Sequence, residues 1–262
     1  MENEARDLRT FRLSFPDGDG FSFDCGQFAE ITVPGWGEAP FGIASSPLDK
    51  EFIEFTVKRY PTGTLTRALH NCREGEIIGV RGPYGNSYPL ETMKGMHAVI
   101  ISGGFAFTTL RSTIKYLLHK QNRSDYKKIT VIYGARSPGE LLYKDELKEW
   151  EDRKDIDIYV TVDKGDETWQ GREGFVPTIV KEVAPSSENA MTLVCGPPIM
   201  LKFTIPVLRE LKFEPDKLIT SLEMRMKCGI GKCGRCNIGS QYVCKDGPVF
   251  SYAQLQTMPG EY

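Results

Sequence analysis

Residues 98–112, AVIISGGFAFTTLRS, place a short β-type run directly before a glycine turn and a helix-length segment. Further β-type runs occur at 129–133, 156–162, 192–195 and 218–222. Helix-length stretches lie between or beside them at 109–120, 140–150, 175–183 and 198–212. Because strands that alternate with helices form parallel sheets, this part of the chain predicts a doubly wound α/β fold.

The residues before the α/β part have a different pattern. Between positions 8 and 90, short β-type runs are separated by Gly and Pro, as at 28–33, 52–59 and 76–80. Apolar Phe55 and Val57 alternate with polar neighbours, which predicts a half-buried strand. One short helix is expected at 65–70. Many short strands at regular spacing predict an antiparallel barrel or sandwich.

Composition narrows the class of protein. The chain has 262 residues, 33 Lys+Arg, 35 Asp+Glu, a net charge of −2 and 40% hydrophobic residues. At about 150 residues per domain, this length predicts two domains and a small third. The balanced charge excludes a disordered chain and a dedicated nucleic-acid binder. The longest aliphatic run, 98–101, is too short for a membrane span, and MENEARDLRT does not resemble a secretory signal. We therefore expect a cytoplasmic protein, in which disulfides are rare.

Four of the seven cysteines are clustered near the C-terminus. The stretch CGIGKCGRCNIGSQYVC contains Cys228, Cys233, Cys236 and Cys244 at C-x4-C-x2-C-x7-C spacing. This is the plant-type spacing for a [2Fe–2S] cluster, and the glycines between the cysteines let the backbone curl around it. Structural zinc is the alternative, although zinc sites more often have two CxxC pairs. The tail from Glu223 is too short to fold without such a staple.

Glycine turns follow three of the predicted parallel strands. They are Gly103-Gly104, Tyr133-Gly-Ala-Arg136 and Cys195-Gly-Pro-Pro198. Ligands of such sheets bind beyond the carboxyl ends of the strands, and helix N-termini there favour phosphate. A cofactor crevice is one interpretation of these turns. The other is that they are tight structural turns with a buried core thiol at Cys195 and a solvated charge at Arg136.

Two loops of the barrel part combine small residues and hydroxyls, namely 39–46 and 61–66. The second opens the predicted helix, so it can present amides to a phosphate or simply cap the helix with threonine. Cys25 and Cys72 are isolated and are expected to pack. The aromatic residues Phe250, Tyr252 and Tyr262 of the tail either dock on a partner or pack against the barrel.

Several motifs together resemble one protein family over nearly the whole chain. They are GEAPFGIASSP, VKRYPTGTLTRALH, SGGFAFTTLRS, YGARSPGELLYKDELKEW, VCGPPIMLKF and SLEMRMKCGIGKCGRC followed by YVCKDGPVFSY. The chain resembles flavin-containing subunits of the ferredoxin–NADP reductase superfamily that end in a [2Fe–2S] domain. It is most similar to the gamma subunits of nickel–iron sulfhydrogenases and to the corresponding flavin-containing subunits of anaerobic sulfite reductases. The electron-transfer subunit of dihydroorotate dehydrogenase is more distantly similar.

The resemblance implies an FAD-binding β-barrel at 1–93, an NAD(P)-binding α/β domain at 94–221 and a [2Fe–2S] domain at 222–262. It implies flavin-ring contacts from Pro40, Phe41, Gly42, Ile43, Ala44 and Ser45. It implies contacts to the ribityl chain from Thr56, Val57 and Lys58, and to the FAD pyrophosphate from Gly63, Thr64, Leu65 and Thr66. NAD(H) or NADP(H) would contact Gly103, Gly104, Phe105, Ala106, Gly134, Ala135, Arg136, Cys195, Gly196, Pro197 and Pro198. The four clustered cysteines would ligate the iron.

The chain departs from the family pattern in two places. The family's flavin motif often contains Arg and a hydroxyl residue, where this chain has Ala39-Pro-Phe-Gly42. The family's nucleotide loop is usually GG-x-G-x-x-PLRS, where this chain has Ala106 and Thr109. A Cβ at Ala106 and the rings of Phe105 and Phe107 are expected to narrow the crevice.

The leading hypothesis is an electron-transfer subunit that passes electrons between NAD(P)H, FAD, the cluster and a partner catalytic subunit. Such a partner would be a hydrogenase, a sulfite reductase or a similar redox enzyme. Because the cofactors carry the chemistry, we expect no catalytic side chain. The alternative keeps FAD and the cluster but relays electrons between proteins without a nucleotide. A zinc-stapled interaction module is the third, non-redox possibility.

Overall fold

The first six strands build an antiparallel barrel in the residues that the computed structural model describes, 1–15 and 20–260. The strands are β1 Glu2–Ala5, β2 Leu8–Ser14, β3 Phe28–Val33, β4 Gly37–Gly42, β5 Phe52–Lys58 and β6 Gly79–Tyr84. They pair in the orders β1-β2-β5 and β4-β3-β6. Helix α1 (Thr64–Asn71) packs Leu65 and Leu69 into their common core. The predicted barrel is confirmed.

Strand β5 is buried on both faces. Ile53, Phe55 and Val57 fill the barrel core. Glu54 and Thr56 are buried as well, because the second half of the chain covers their face of the strand. The prediction of a half-buried strand is therefore wrong here, and the reason is tertiary: alternation in one strand does not reveal a domain packed against its polar face.

From His97 the chain alternates parallel strands and helices. The strands are β7 His97–Gly103, β8 Lys128–Ala135, β9 Asp157–Val162, β10 Arg172–Glu173, β11 Ala190–Cys195 and β12 Leu218–Ser221, in the sheet order β10-β9-β8-β7-β11-β12. The helices are α2 Phe107–Leu118, α3 Lys144–Glu151, α4 Val176–Val183 and α5 Pro198–Glu210. In β7, Ala98 and Ile100 join the core beneath α2 and α3, whereas Val99 and Ile101 join the core beneath α4 and α5. The predicted doubly wound parallel sheet is confirmed.

The C-terminal segment adds an edge strand to this sheet, which the sequence did not indicate. Its elements are β13 Asn237–Ile238, β14 Gln241–Tyr242, α6 Val243–Asp246, β15 Val249–Ser251 and α7 Tyr252–Leu255. Strand β15 pairs antiparallel with β12. Phe250 packs with Phe28 of the barrel, so this tail aromatic packs within the chain, while Tyr262 lies outside the described residues.

Helix ends lie close to their expected positions. Helix α2 begins at Phe107 rather than at 109. Helix α3 begins at Lys144, after a 3-10 turn at Pro138–Glu140. None of the helices in the described part of the chain is long and apolar enough to cross a bilayer.

Candidate functional site

The four clustered cysteines lie on one tightly curled loop. Gly229, Gly231 and Gly234 have φ angles of +72°, +71° and +70°, a conformation that residues with a Cβ rarely adopt. The curled backbone turns its amides toward sulfur. The N–H of Gly231 donates to Cys244 Sγ at 3.1 Å, and the N–H groups of Lys232 and Cys233 donate to Cys228 Sγ at 3.4 Å. Such N–H donors stabilise thiolates and tune the potential of a cluster.

The cysteine side chains interact in two pairs. Cys228 is paired with Cys233, and Cys236 with Cys244. Backbone donors, that of Ile230 foremost, lower the pKa of the Cys228 thiol to about 6, whereas burial raises the pKa of Cys244 to about 12. In the described residues, no three His, Cys, Asp or Glu side chains are grouped so as to hold a single metal ion. Two thiol pairs fit the two irons of a [2Fe–2S] cluster, whereas zinc requires its ligands around one point.

The end of β4 meets the nucleotide half of the chain. A Cβ on Gly42 would lie 2.4 Å from Thr109 Cγ2, so glycine is required for this approach. Pro40, Phe41 and Gly42 are half-buried and can offer a surface to a planar ring. Ile43, Ala44 and Ser45 are buried, and Ser45 Oγ accepts the Glu54 N–H at 3.0 Å. Their side chains therefore hold the strand end in place rather than face a ligand.

The predicted ribityl residues of β5 present little side chain to solvent. The Thr56 hydroxyl is buried between those of Thr10 and Tyr143, and Val57 lies in the barrel core. Lys58 is exposed, with its Nζ over the Tyr60 ring. Contacts from Thr56 or Val57 to a ribityl chain would therefore use the backbone.

Helix α1 offers a place for a phosphate. Its N-cap, Gly63, makes no side-chain capping hydrogen bond, and Thr64 beside it is exposed while Gly63 and Thr66 are half-buried. A Cβ on Gly63 would lie 2.3 Å from Thr66 Oγ1. The first-turn amides and the helix dipole favour an anion here, which fits the FAD pyrophosphate.

The three glycine turns meet at one edge of the parallel sheet. Gly103 pairs with Gly134 at the ends of β7 and β8, and Cys195 pairs with Ser102 at the end of β11. Gly196, Pro197 and Pro198 then lead into α5, while Ala135 and exposed Arg136 follow Gly134. The structure thus brings together the residues predicted to contact the nucleotide.

Met200 lies over two of these glycines. A Cβ on Gly103 would lie 2.4 Å from Met200 Sδ, and one on Gly196 would lie 2.3 Å from Met200 Cε. Sequence reasoning missed this residue. Its place two positions after Cys195-Gly-Pro-Pro198 was the available signal, since the first turn of α5 must face the strand ends.

The expectation that Phe107 narrows the crevice is wrong. Its ring is fully buried and stacks on Tyr133 with a centroid distance of 3.9 Å. Phe105 is half-buried against the same core. Ala106 has a φ of −63°, which any residue adopts, whereas Gly104 has a φ of +58° with open space around it. The departure at Ala106 therefore strains nothing in the backbone.

Arg111 of α2 joins the two halves of the chain, and sequence reasoning missed it. Its Nη1 donates to Ala44 O at 3.0 Å and to Glu54 Oε2 at 2.7 Å, and its Nε donates to Glu146 Oε2 at 2.7 Å. Burial alone would raise the pKa of Glu54, but the Arg111 charge outweighs it and lowers that pKa. The arginine thereby fixes β4 and β5 against the nucleotide loop.

The cluster loop rests on the barrel through Arg81 of β6. Arg81 Nη1 donates to Cys228 O at 3.2 Å and to the Tyr84 hydroxyl at 2.7 Å. Beside them, Glu30 of β3 is 0% exposed, and neither of its carboxylate oxygens has a hydrogen-bond partner in the described residues. A Cβ on Gly229 would lie 3.4 Å from Glu30 Oε1. Burial, with Glu38 nearby, raises the pKa of Glu30 to about 7.

Replacing Glu30 with glutamine is expected to stabilise the protein above neutral pH. A carboxyl whose pKa is raised in the folded state destabilises that state when charged, and the penalty fades as the pH falls toward the unfolded pKa. The shift from 4.5 to about 7 corresponds to a gain on the order of 3 kcal/mol at pH 8. Urea unfolding of the holoprotein at pH 5.5 and 8 measures it. Glu51→Gln, at an exposed position, is the matched control, and equal pH slopes for wild type and Glu30→Gln would contradict the prediction.

The fold and these sites define a class of redox protein with a flavin barrel, a nucleotide-binding α/β domain and a cysteine-ligated cluster. Three family descriptions match the sequence. Residues 1–88 match an oxidoreductase FAD-binding domain, residues 100–205 an oxidoreductase NAD-binding domain, and residues 223–256 the iron–sulfur cluster binding domain of dihydroorotate dehydrogenase B. The match at 223–256 favours iron over zinc at the four cysteines.

Similar proteins cover almost the whole chain. Sulfhydrogenase 1 subunit gamma of Pyrococcus furiosus is 37% identical over 98% of this chain and 89% of its own. A probable dihydroorotate dehydrogenase B (NAD(+)) electron transfer subunit of Thermococcus kodakarensis is 34% identical over 96% of this chain and 93% of its own. The chain belongs to this family of FAD-, NAD- and iron–sulfur-domain electron-transfer subunits.

Solved structures have the same fold. An NADH-dependent reduced ferredoxin–NADP oxidoreductase, described for flavin-based electron bifurcation, gives a TM-score of 0.76 at 24% identity and covers 99% of this chain and 90% of its own. Phthalate dioxygenase reductase gives 0.61 at 22% identity over 80% of this chain and 61% of its own. These likenesses establish the ferredoxin reductase-type fold.

Proposed function

We propose that this chain is the NAD(P)H-linked electron-transfer subunit of a cytoplasmic redox complex, with domain boundaries at 93/94 and 221/222. One arrangement carries the proposal: the barrel sheet of β3, β4 and β6 touches the nucleotide loop through Gly42 and the cluster loop through Tyr84 and Glu30. A flavin on this face lies between an electron donor and an electron acceptor. The named relatives are subunits of sulfhydrogenases and dihydroorotate dehydrogenases, and the partner proposed here is a catalytic subunit of that kind.

Each part of the chain has a defined role in this proposal. When bound, FAD takes two electrons from a nicotinamide and delivers them singly to a [2Fe–2S] cluster. Pro40–Ser45 and the backbone of 56–58 orient the flavin, and 63–66 hold its pyrophosphate. Gly103–Ala106, Gly134–Arg136 and Cys195–Pro198 receive NAD(H) or NADP(H). Cys228, Cys233, Cys236 and Cys244 hold the iron, and these thiols must stay reduced before assembly, which supports a cytoplasmic location.

One observation favours the second candidate, a FAD/[2Fe–2S] relay between proteins. Met200 lies directly against Gly103 and Gly196, the residues whose lack of a side chain would admit a nucleotide. If Met200 keeps this position, the crevice stays closed to the nicotinamide.

An anaerobic titration distinguishes the two functions. We expect NADH or NADPH to bleach the flavin absorbance of the holoprotein, because the three glycine turns converge beside β4. Dithionite serves as the control that the bound flavin can be reduced. Bleaching by dithionite but by neither nucleotide would leave only the relay.

A further inference from the structure

A large groove lies between α5 and the C-terminal segment. Its volume is about 990 Å³. One wall is α5, with Ile199, Leu201 and Ile205, and the opposite wall is formed by residues 220–225 and Tyr252. The walls are largely apolar, which favours a bound apolar surface.

Positive charges surround this groove. Lys202, Arg225 and Arg235 line it together with a single acid, Glu223. Lys227 and Lys232 extend the charge along the cluster loop. In the part of the chain that the structure describes, none of these five cations lies within 4.0 Å of a carboxylate. The whole chain has a net charge of −2, so this region is a local exception.

The groove is continuous with the cluster loop. Arg235 stands between the ligands Cys233 and Cys236, and Cys233 is exposed. Two large apolar side chains on α5, Ile199 and Phe203, are 62% and 55% exposed. An electron that leaves through the cluster leaves beside unpaired cations and exposed apolar side chains.

We propose that this groove, the cationic groove, docks the acidic face of a redox partner protein, with an apolar side chain of the partner seated against α5. The inference rests on the proposed electron-transfer function. Complementary charge steers encounter and sets orientation, and a buried apolar anchor supplies most of the affinity. A partner seated here is next to Cys233.

Two small redox proteins of opposite charge test the proposal. The holoprotein is photoreduced anaerobically and mixed with the acidic haem domain of cytochrome b5 or with basic cytochrome c, and haem reduction is followed by stopped flow. Lys202→Glu/Arg225→Glu is expected to slow reduction of cytochrome b5 at least about tenfold at low salt and not to slow reduction of cytochrome c. Ile199→Ser, which leaves the charge unchanged, is expected to slow cytochrome b5 at low and high salt alike.

Three controls give the remaining outcomes. Lys120→Glu changes the net charge at an exposed position after α2; if it slows cytochrome b5 as much as the groove variants do, the proposal is wrong. No slowing by any groove variant also overturns it. A wild-type dimer that the groove variants dissociate would identify a second copy of the chain as the occupant instead. Oxidation of the reduced protein by the neutral acceptor duroquinone separates the levels, because failure there removes the electron-transfer function itself.

Discussion

Cys236→Ser is expected to yield a protein that keeps its flavin but lacks the [2Fe–2S] cluster. Cys236 is buried, and its thiol is paired with that of Cys244. Serine preserves the shape but is a poor ligand for iron, which prefers thiolate. Iron should fall from two per chain to nearly none, with loss of the visible and EPR signals of the cluster. The FAD content should remain, since the proposed flavin residues lie in the barrel.

Cys72→Ser is the matched control for this variant. The Cys72 thiol is half-buried and donates to Ala68 O at 3.3 Å, away from the cluster loop. It should retain full iron. The C-terminal core of Cys236→Ser should also become susceptible to protease, because a segment this small depends on its metal staple. Full iron in Cys236→Ser, or equal loss in Cys72→Ser, would contradict the assignment of the ligands.

Local patterns were sufficient to predict the main elements and the cluster loop. The strand β7, the glycine turn and helix α2 follow one another in 98–112 as their periodicity indicated. The cysteine spacing likewise predicted a loop in which three glycines take positive φ angles. These features depend on residues near one another in sequence, so the sequence carries them directly.

Features that depend on distant residues were not predictable from the sequence. Strand β15 joins the sheet through β12, about thirty positions earlier along the chain, and its short run has no periodicity of its own. The burial of Glu54 depends on Arg111, which is far away in sequence and reads alone as an ordinary surface arginine. Met200 covers Gly103 only because α5 crosses the ends of β7 and β11.

The cationic groove shows the same limit at the level of function. Its cations are spread over α5 and the cluster loop, and their sum disappears in a net charge of −2. Only the fold brings Lys202 beside Arg225 and Arg235. Near-neutral composition therefore excluded nucleic acid as a partner while concealing a surface suited to an acidic protein.

Arg111→Met is expected to lower the free energy of unfolding by about 3–5 kcal/mol, because it leaves a buried carboxylate without its main partner. The side chains of Arg111 and Glu54 are 7% and 4% exposed. Arg111 also bonds Ala44 O and Glu146, so the variant loses the hydrogen bonds that hold β4 against α2. Because Arg111 lowers the pKa of Glu54, the stability that this pair contributes is present above the ordinary carboxyl pKa and is lost as the pH falls below it. Urea unfolding at pH 7 and pH 4 measures both effects.

Arg12→Met provides the comparison that isolates burial. Arg12 also pairs with Glu54, at 2.8 Å, but its side chain is 58% exposed. An exposed partner of the same carboxylate contributes less than about 1 kcal/mol, so Arg12→Met should change the unfolding midpoint little. Glu54→Gln added to Arg111→Met should restore part of the loss, because it removes the uncompensated charge. If Arg12→Met costs as much as Arg111→Met, the stability comes from neutralising Glu54 by any cation rather than from the buried junction between the barrel and the nucleotide domain.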